Sequence, residues 1–163
     1  MKYFAYGSNM SFVRLIKRVP SAKRLGMFSL KNHQLVFHKV SQDGSSKCDA
    51  LFTNNVQDCI FGALYEIDEN EKRILDHAEG LGHGYDEKLV QVEDSNGKIF
   101  EAVAYIATKI DDSLLPYSWY LNHVVVGAKE IGVPEYYLEK ILNIKALEDP
   151  DQDRDREQRK MYR

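Results

Sequence analysis

Two short stretches of the chain hold residues that could do chemistry. The first is Tyr3-Phe4-Ala5-Tyr6-Gly7-Ser8-Asn9-Met10, an apolar run broken at Gly-Ser-Asn with a helical pattern directly behind it. Such a join presents backbone N–H groups and small polar side chains at a helix N-terminus, where an anionic ligand group can be held. The second is Asp76-His77-Ala78-Glu79-Gly80. Glu79 falls in the last turn of a predicted helix, where the negative helix end disfavours a carboxylate by about 0.3–1 kcal/mol. Asp76 adds a like charge one turn earlier, and the glycines that follow bare the site to a ligand. These effects raise the pKa of Glu79 towards what a general base near neutral pH needs. A tolerated surface glutamate is the competing reading of the same pattern.

The elements around these stretches follow from periodicity and turn chemistry. Residues 2–6 read as a strand ended by Gly7. Residues 10–18 carry apolar positions at helical spacing, with Ser8 or Asn9 as cap and Pro20 as stop. Strands are predicted at 25–28, 34–39, 50–53 and 59–67, with a loop at 41–46. Asp68 caps the next helix, with Glu71 three residues on as a capping-box partner. Ile74, Leu75 and Ala78 form its expected buried stripe, and Gly80 its C′ residue. Asp94-Ser95-Asn96-Gly97 joins strands at 85–93 and 99–108 into a hairpin. Two helices follow, at 117–130 and 135–144, parted by Gly132-Val133-Pro134. The sum is six or seven mostly antiparallel strands with interspersed helices, so the fold class is α+β, a small mixed barrel with flanking helices.

At 163 residues the chain is most simply one domain, expected over 1–147, followed by a charged tail over 148–163 that reads as a frayed end or solvated helix. A net charge of -3 leaves no basic footprint for nucleic acid and no polybasic membrane patch. No apolar run approaches the roughly 20 residues needed to span a bilayer. With the first strand expected from residue 2, no leader is expected ahead of it, and Cys48 and Cys59 read as buried reduced thiols. A cytoplasmic protein is expected. Ten tyrosines against one tryptophan suggest hydroxyl-bearing aromatics lining something wet on one side.

The two stretches together resemble the γ-glutamylcyclotransferases. The opening is similar to that family's substrate-binding loop, and Asp76-His77-Ala78-Glu79-Gly80 resembles its catalytic segment, in which the glutamate before glycine accepts a proton. The similarity runs on through Pro20-Ser21-Ala22, Tyr85, Val103-Ala104-Tyr105, Tyr120, Gly127-Ala128-Lys129-Glu130 and Val133-Pro134. It implies a small mixed barrel with surrounding helices and, since members are often homodimers, a dimer. It also implies intramolecular aminolysis of a γ-glutamyl substrate, with Glu79 catalytic and no metal or organic cofactor. Substrate would be held by Tyr3, Phe4, Ala5, Tyr6, Gly7, Ser8 and Asn9, with the N–H groups near Gly7 and Ser8 on its α-carboxylate. Tyr85, Tyr105 and Tyr120 match the family's pocket tyrosines.

Branches of the family differ in the loop. The glutathione-degrading branch typically has Tyr-Gly-Ser-Leu followed by tryptophan and the γ-glutamylamine branch tends to Tyr-Gly-Thr-Leu, so Ser8-Asn9 favours the branch acting on γ-glutamyl-amino acids, a loop shared by members that act on γ-glutamylated biosynthetic intermediates. The alternative from another class is a non-catalytic binder of small amino-acid ligands that keeps the pocket. Other sites have less support. Ser8 lacks a G-x-S-x-G elbow, the five histidines show no zinc-like spacing, and the glycines at 80, 82 and 84 leave a helix rather than open one.

Overall fold

The computed structural model describes residues 1–163, and its architecture is the α+β barrel that the sequence predicts. The strands are β1 (Lys2–Ala5), β2 (Lys23–Lys31), β3 (His33–Val40), β4 (Ser46–Phe52), β5 (Cys59–Glu66), β6 (Tyr85–Glu93) and β7 (Ile99–Ala107). The helices are α1 (Phe12–Ile16), α2 (Lys72–Glu79), α3 (Ser118–Ile131), α4 (Glu135–Leu142) and α5 (Gln152–Lys160). Strands β1, β5, β2, β6 and β7 hydrogen-bond in that order and close into a barrel. The closure is a parallel contact of Tyr3 with Val103, while the other neighbours pair antiparallel. β3 and β4 form a separate two-stranded sheet. None of the helices is long and apolar enough to cross a membrane.

Where the first helix was expected, the chain instead makes a 3₁₀ turn at Ser8–Met10 followed by the five-residue α1. Tertiary contacts take the groups that a longer helix would use. The Met10 carbonyl accepts the Tyr65 hydroxyl at 2.9 Å, and the Asn9 side chain turns away from the helix end instead of capping it. Gly127 on α3 makes room for this turn: a Cβ there would lie 2.6 Å from both the Met10 carbonyl carbon and the Ser11 nitrogen. A side chain of any size at 127 would push the turn off α3.

The expected stripe of α2 needs correction. Leu75 is fully buried, but Ile74 is 51% exposed and Ala78 also faces solvent. The half-buried positions beside Leu75 are Lys72, Asp76 and Glu79, one turn apart on one face. The helix therefore turns a largely polar face inward. Its cap differs too: Asp68 accepts from Asn70 N–H at 2.8 Å, but Glu71 accepts from Ser21 N–H, and the Asp68 N–H donates to Ser21 Oγ, both at 2.9 Å. Ser21 thus takes the place expected of Glu71.

The tail is docked rather than frayed. Buried Asp149 accepts Trp119 Nε1–H at 2.8 Å and the Arg154 guanidinium at 2.6 and 2.7 Å. The Tyr162 hydroxyl bonds His123 Nδ1 at 2.6 Å and donates to Ser11 Oγ at 2.9 Å. The last residues thereby brace α3 and the turn at 8–11. Charge pattern alone hides this, because these partners lie far away in sequence.

Candidate active site

α2 stops at Glu79 because Gly80 takes up the left-handed conformation, φ 69° and ψ 45°. Gly80 N–H bonds the His77 carbonyl at 3.1 Å and Leu81 N–H the Asp76 carbonyl at 2.9 Å, the paired bonds of a Schellman cap. A residue with a Cβ pays a steric cost in that conformation, which glycine avoids. The chain turns off behind Glu79 and leaves its carboxylate facing a cleft.

That cleft is walled by Tyr3, Tyr6, Gly7, Ser8, Asn9, Cys48, Tyr85, Tyr105 and Tyr120 around Glu79. It brings together every site residue expected from the sequence except Phe4 and Ala5. Successive side chains of β1 point to opposite faces, which sends the Phe4 ring into the core, and Ala5 is buried against β5. Both support the loop from behind and do not line the cleft. The opening loop and the α2 end meet directly: Asn9 Nδ2 donates to Glu79 Oε1 at 2.5 Å and to the Tyr3 hydroxyl at 3.1 Å. Arg18 Nη1 holds Asn9 Oδ1 from behind at 3.3 Å.

Burial is the main influence on the Glu79 carboxyl and raises its pKa. The positive charges of Arg18, Arg14 and Lys39 and the Asn9 hydrogen bond oppose it without cancelling it. The direction matches the sequence expectation, but Asp76 is not the cause. Its carboxylate is engaged by the Lys72 ammonium and accepts the Tyr105 hydroxyl at 2.5 Å, so its charge is met locally. Cys48 is pushed up to about 12 by burial and stays a thiol at neutral pH.

The five cleft tyrosines divide by where their protons go. Tyr6 donates to the Tyr105 carbonyl, Tyr85 to the Cys48 carbonyl at 2.5 Å, and Tyr105 to Asp76. These three fix the walls. Tyr3 accepts from Asn9, and Tyr120 accepts from Cys48 N–H at 3.0 Å, so both keep a proton to offer a ligand. Burial raises the pKa of each, which keeps them protonated donors. Gly7 N–H also makes no bond within the protein. The sequence pattern does not single out Arg14, Arg18, Lys39 or Cys48 as site residues. Arg14 and Arg18 lie four residues apart behind the loop, a spacing visible in the sequence; Lys39 and Cys48 come to the site only through the β3–β4 sheet. No three His, Cys, Asp or Glu side chains are grouped so as to share a metal ion.

A family model described as the AIG2-like family matches residues 59–141. The γ-glutamylcyclotransferase of Homo sapiens is 32% identical over 154 residues, covering 91% of this chain and 79% of that protein. The chain belongs to the γ-glutamylcyclotransferase family. The Mus musculus protein of the same name is 30% identical over 151 residues, covering 90% of this chain and 78% of that one. A solved structure titled gamma-glutamyl cyclotransferase superposes with a TM-score of 0.85 at 27% identity, covering 96% of this chain and 98% of that chain. The segment matched by the family model includes Glu79, Tyr85, Tyr105 and Tyr120 but not the loop at 3–9. In this member of the family the loop joins the rest of the cleft through barrel closure and the Asn9 contact.

Proposed function

We propose that the cleft binds the γ-glutamyl group of a γ-glutamyl-amino acid and cyclises it to 5-oxoproline, releasing the attached amino acid. The observation that carries this reading is the Glu79 carboxylate, pushed up in pKa by burial and held by Asn9 of the opening loop. Glu79 takes a proton from the substrate's α-ammonium, and the freed amine attacks its own γ-carbonyl carbon. A C–N bond forms to close the ring, and the carbonyl electrons move to the oxygen. As that oxyanion collapses, the original amide C–N bond breaks and Glu79 returns its proton to the departing nitrogen. The attacking nitrogen, positively charged on forming the ring, gives up its second proton to the departing amine as well, so the products are the neutral lactam N–H and an ammonium. Atoms balance with no water consumed.

The amine and carbonyl belong to one molecule, so the protein's main task is to curl it. Positioning of this kind can supply several kcal/mol of the barrier. Gly7 N–H and the Ser8 hydroxyl are suited to the α-carboxylate, and Tyr3 and Tyr120 can donate to it or to the oxyanion. The test is incubation with a panel of γ-glutamyl-amino acids, γ-glutamylamines and glutathione, with 5-oxoproline as the readout. Product from γ-glutamyl-amino acids supports the reading, and no product from any member overturns it.

A further inference from the structure

A second, more polar cleft opens on the outer side of α2's end, lined by Lys39, Ser41, Gln42, His77 and His83 together with Glu79. Glu79 is the one residue that lines both clefts. A group that takes a proton from the attacking amine and gives it to the departing nitrogen must reach both ends of the reacting amide. With the γ-glutamyl group among the tyrosines, the departing group lies towards the second cleft.

The ammonium in that cleft belongs to Lys39; the Asp76 carboxylate also lines it but is paired with Lys72. Lys39 is half-buried on β3, and its ammonium forms no ion pair or hydrogen bond with the protein. Its Nζ stands 4.6 Å from the centre of the Tyr85 ring, a wall of the first cleft. Gly84 makes room for it, since a Cβ there would lie 2.9 Å from Lys39 Cε and 3.0 Å from Nζ. Burial lowers the Lys39 pKa, with Glu79 and Asp43 attracting the charge and Lys109 repelling it. A cation placed this way, without a protein anion in contact, is suited to an anionic ligand group.

We propose that the second cleft is the leaving-group subsite and that Lys39 pairs with the α-carboxylate of the departing amino acid. This rests on the cyclotransferase reading above. It selects leaving groups that carry a carboxylate next to the scissile nitrogen over simple amines and amino-acid amides. Lys39 is a specificity-determining residue in this role, and the proton transfers remain with Glu79.

The test compares kcat/KM for γ-glutamyl-alanine and γ-glutamyl-alanine amide, which differ only in that carboxylate. The wild type is expected to prefer the acid by roughly 10- to 100-fold, the range of a charge-assisted hydrogen bond. Lys39→Met should abolish the preference, acting mainly through KM, and Lys39→Arg should restore part of it. Gly84→Ala, which crowds the lysine's flexible end, should weaken the preference without removing the charge. A Lys39→Met variant that slows both substrates in equal proportion overturns the proposal, as does a wild type indifferent to the carboxylate. If the wild type yields 5-oxoproline from neither substrate nor from any member of the panel above, the cyclotransferase reading itself fails and takes the subsite with it; product from other members but not from these two overturns the subsite alone.

Discussion

Asn9 and Glu79 lie 70 residues apart in the chain, and their side chains meet at 2.5 Å. One belongs to the loop proposed to hold substrate and the other to the helix end proposed to move protons. The contact couples the two tasks: the amide that orients the carboxylate also lowers its pKa, against the burial that raises it.

Glu79→Gln keeps the shape and can still accept from Asn9, but it cannot take a proton. Turnover should fall by about 10²- to 10⁴-fold. Substrate binding, followed by calorimetry, should change only a few-fold. Rates near wild type would show that another group accepts the proton.

The same substitution should stabilise the fold at neutral pH. The folded-state pKa of Glu79 is raised above its ordinary value of 4.5, so its favourable contribution is present below that value and lost as pH rises through the folded pKa. Thermal melts should place Glu79→Gln above wild type at pH 7, with the gap closing towards pH 4. A variant that melts lower at pH 7 would contradict this.

Asn9→Ala removes a hydrogen bond that favours the ionised carboxylate. The Glu79 pKa should rise further, and the acid limb of the kcat/KM profile should move to higher pH. An acid limb that stays in place would sever the link between Asn9 and the proposed base Glu79.

Gly127→Ala places a methyl against the Met10 carbonyl carbon and Ser11 nitrogen, 2.6 Å from each. Overpacking of this kind costs about 1–3 kcal/mol. Urea denaturation should show that loss, and kcat/KM should fall with it, because the displaced turn carries Ser8 and Asn9.

Asp149→Ala leaves Trp119 Nε1 and Arg154 without their shared acceptor, at an expected cost of about 2–3 kcal/mol. Hydrogen bonding from Arg154, joined by Trp119 and opposed by burial, holds the Asp149 carboxyl well below the usual carboxylate range. Its stabilisation is therefore present above the unfolded-state value of about 3.9 and lost as pH falls through the lower folded value. The stability gap between wild type and variant should hold at pH 5–7 and close in strong acid.

Much of the fold is legible in the chain because its signals are local. The Asp94–Gly97 hairpin, the glycine closing α2 and the Gly132-Val133-Pro134 break depend on neighbours within a few residues. The structure departs from the local expectation where a distant partner overrides a local rule. Ser21 displaced Glu71 at the start of α2, Tyr65 claimed the Met10 carbonyl, and Leu75 alone of its stripe met the barrel.

The sequence by itself determined most of the strand, turn and helix pieces, the glycine that ends α2 at Glu79, and the tyrosine-rich opening as a separate stretch. These follow from backbone propensity, side-chain periodicity and turn chemistry. Only the tertiary structure decided that burial, not Asp76, raises the Glu79 pKa. It also decided that Tyr3 and Tyr120 keep their protons while Tyr6, Tyr85 and Tyr105 spend theirs, and that Lys39 reaches the far side of the glutamate. Desolvation and hydrogen-bond pairing depend on which groups barrel closure brings within a few ångströms, and residues 70 positions apart in sequence carry no local trace of that meeting.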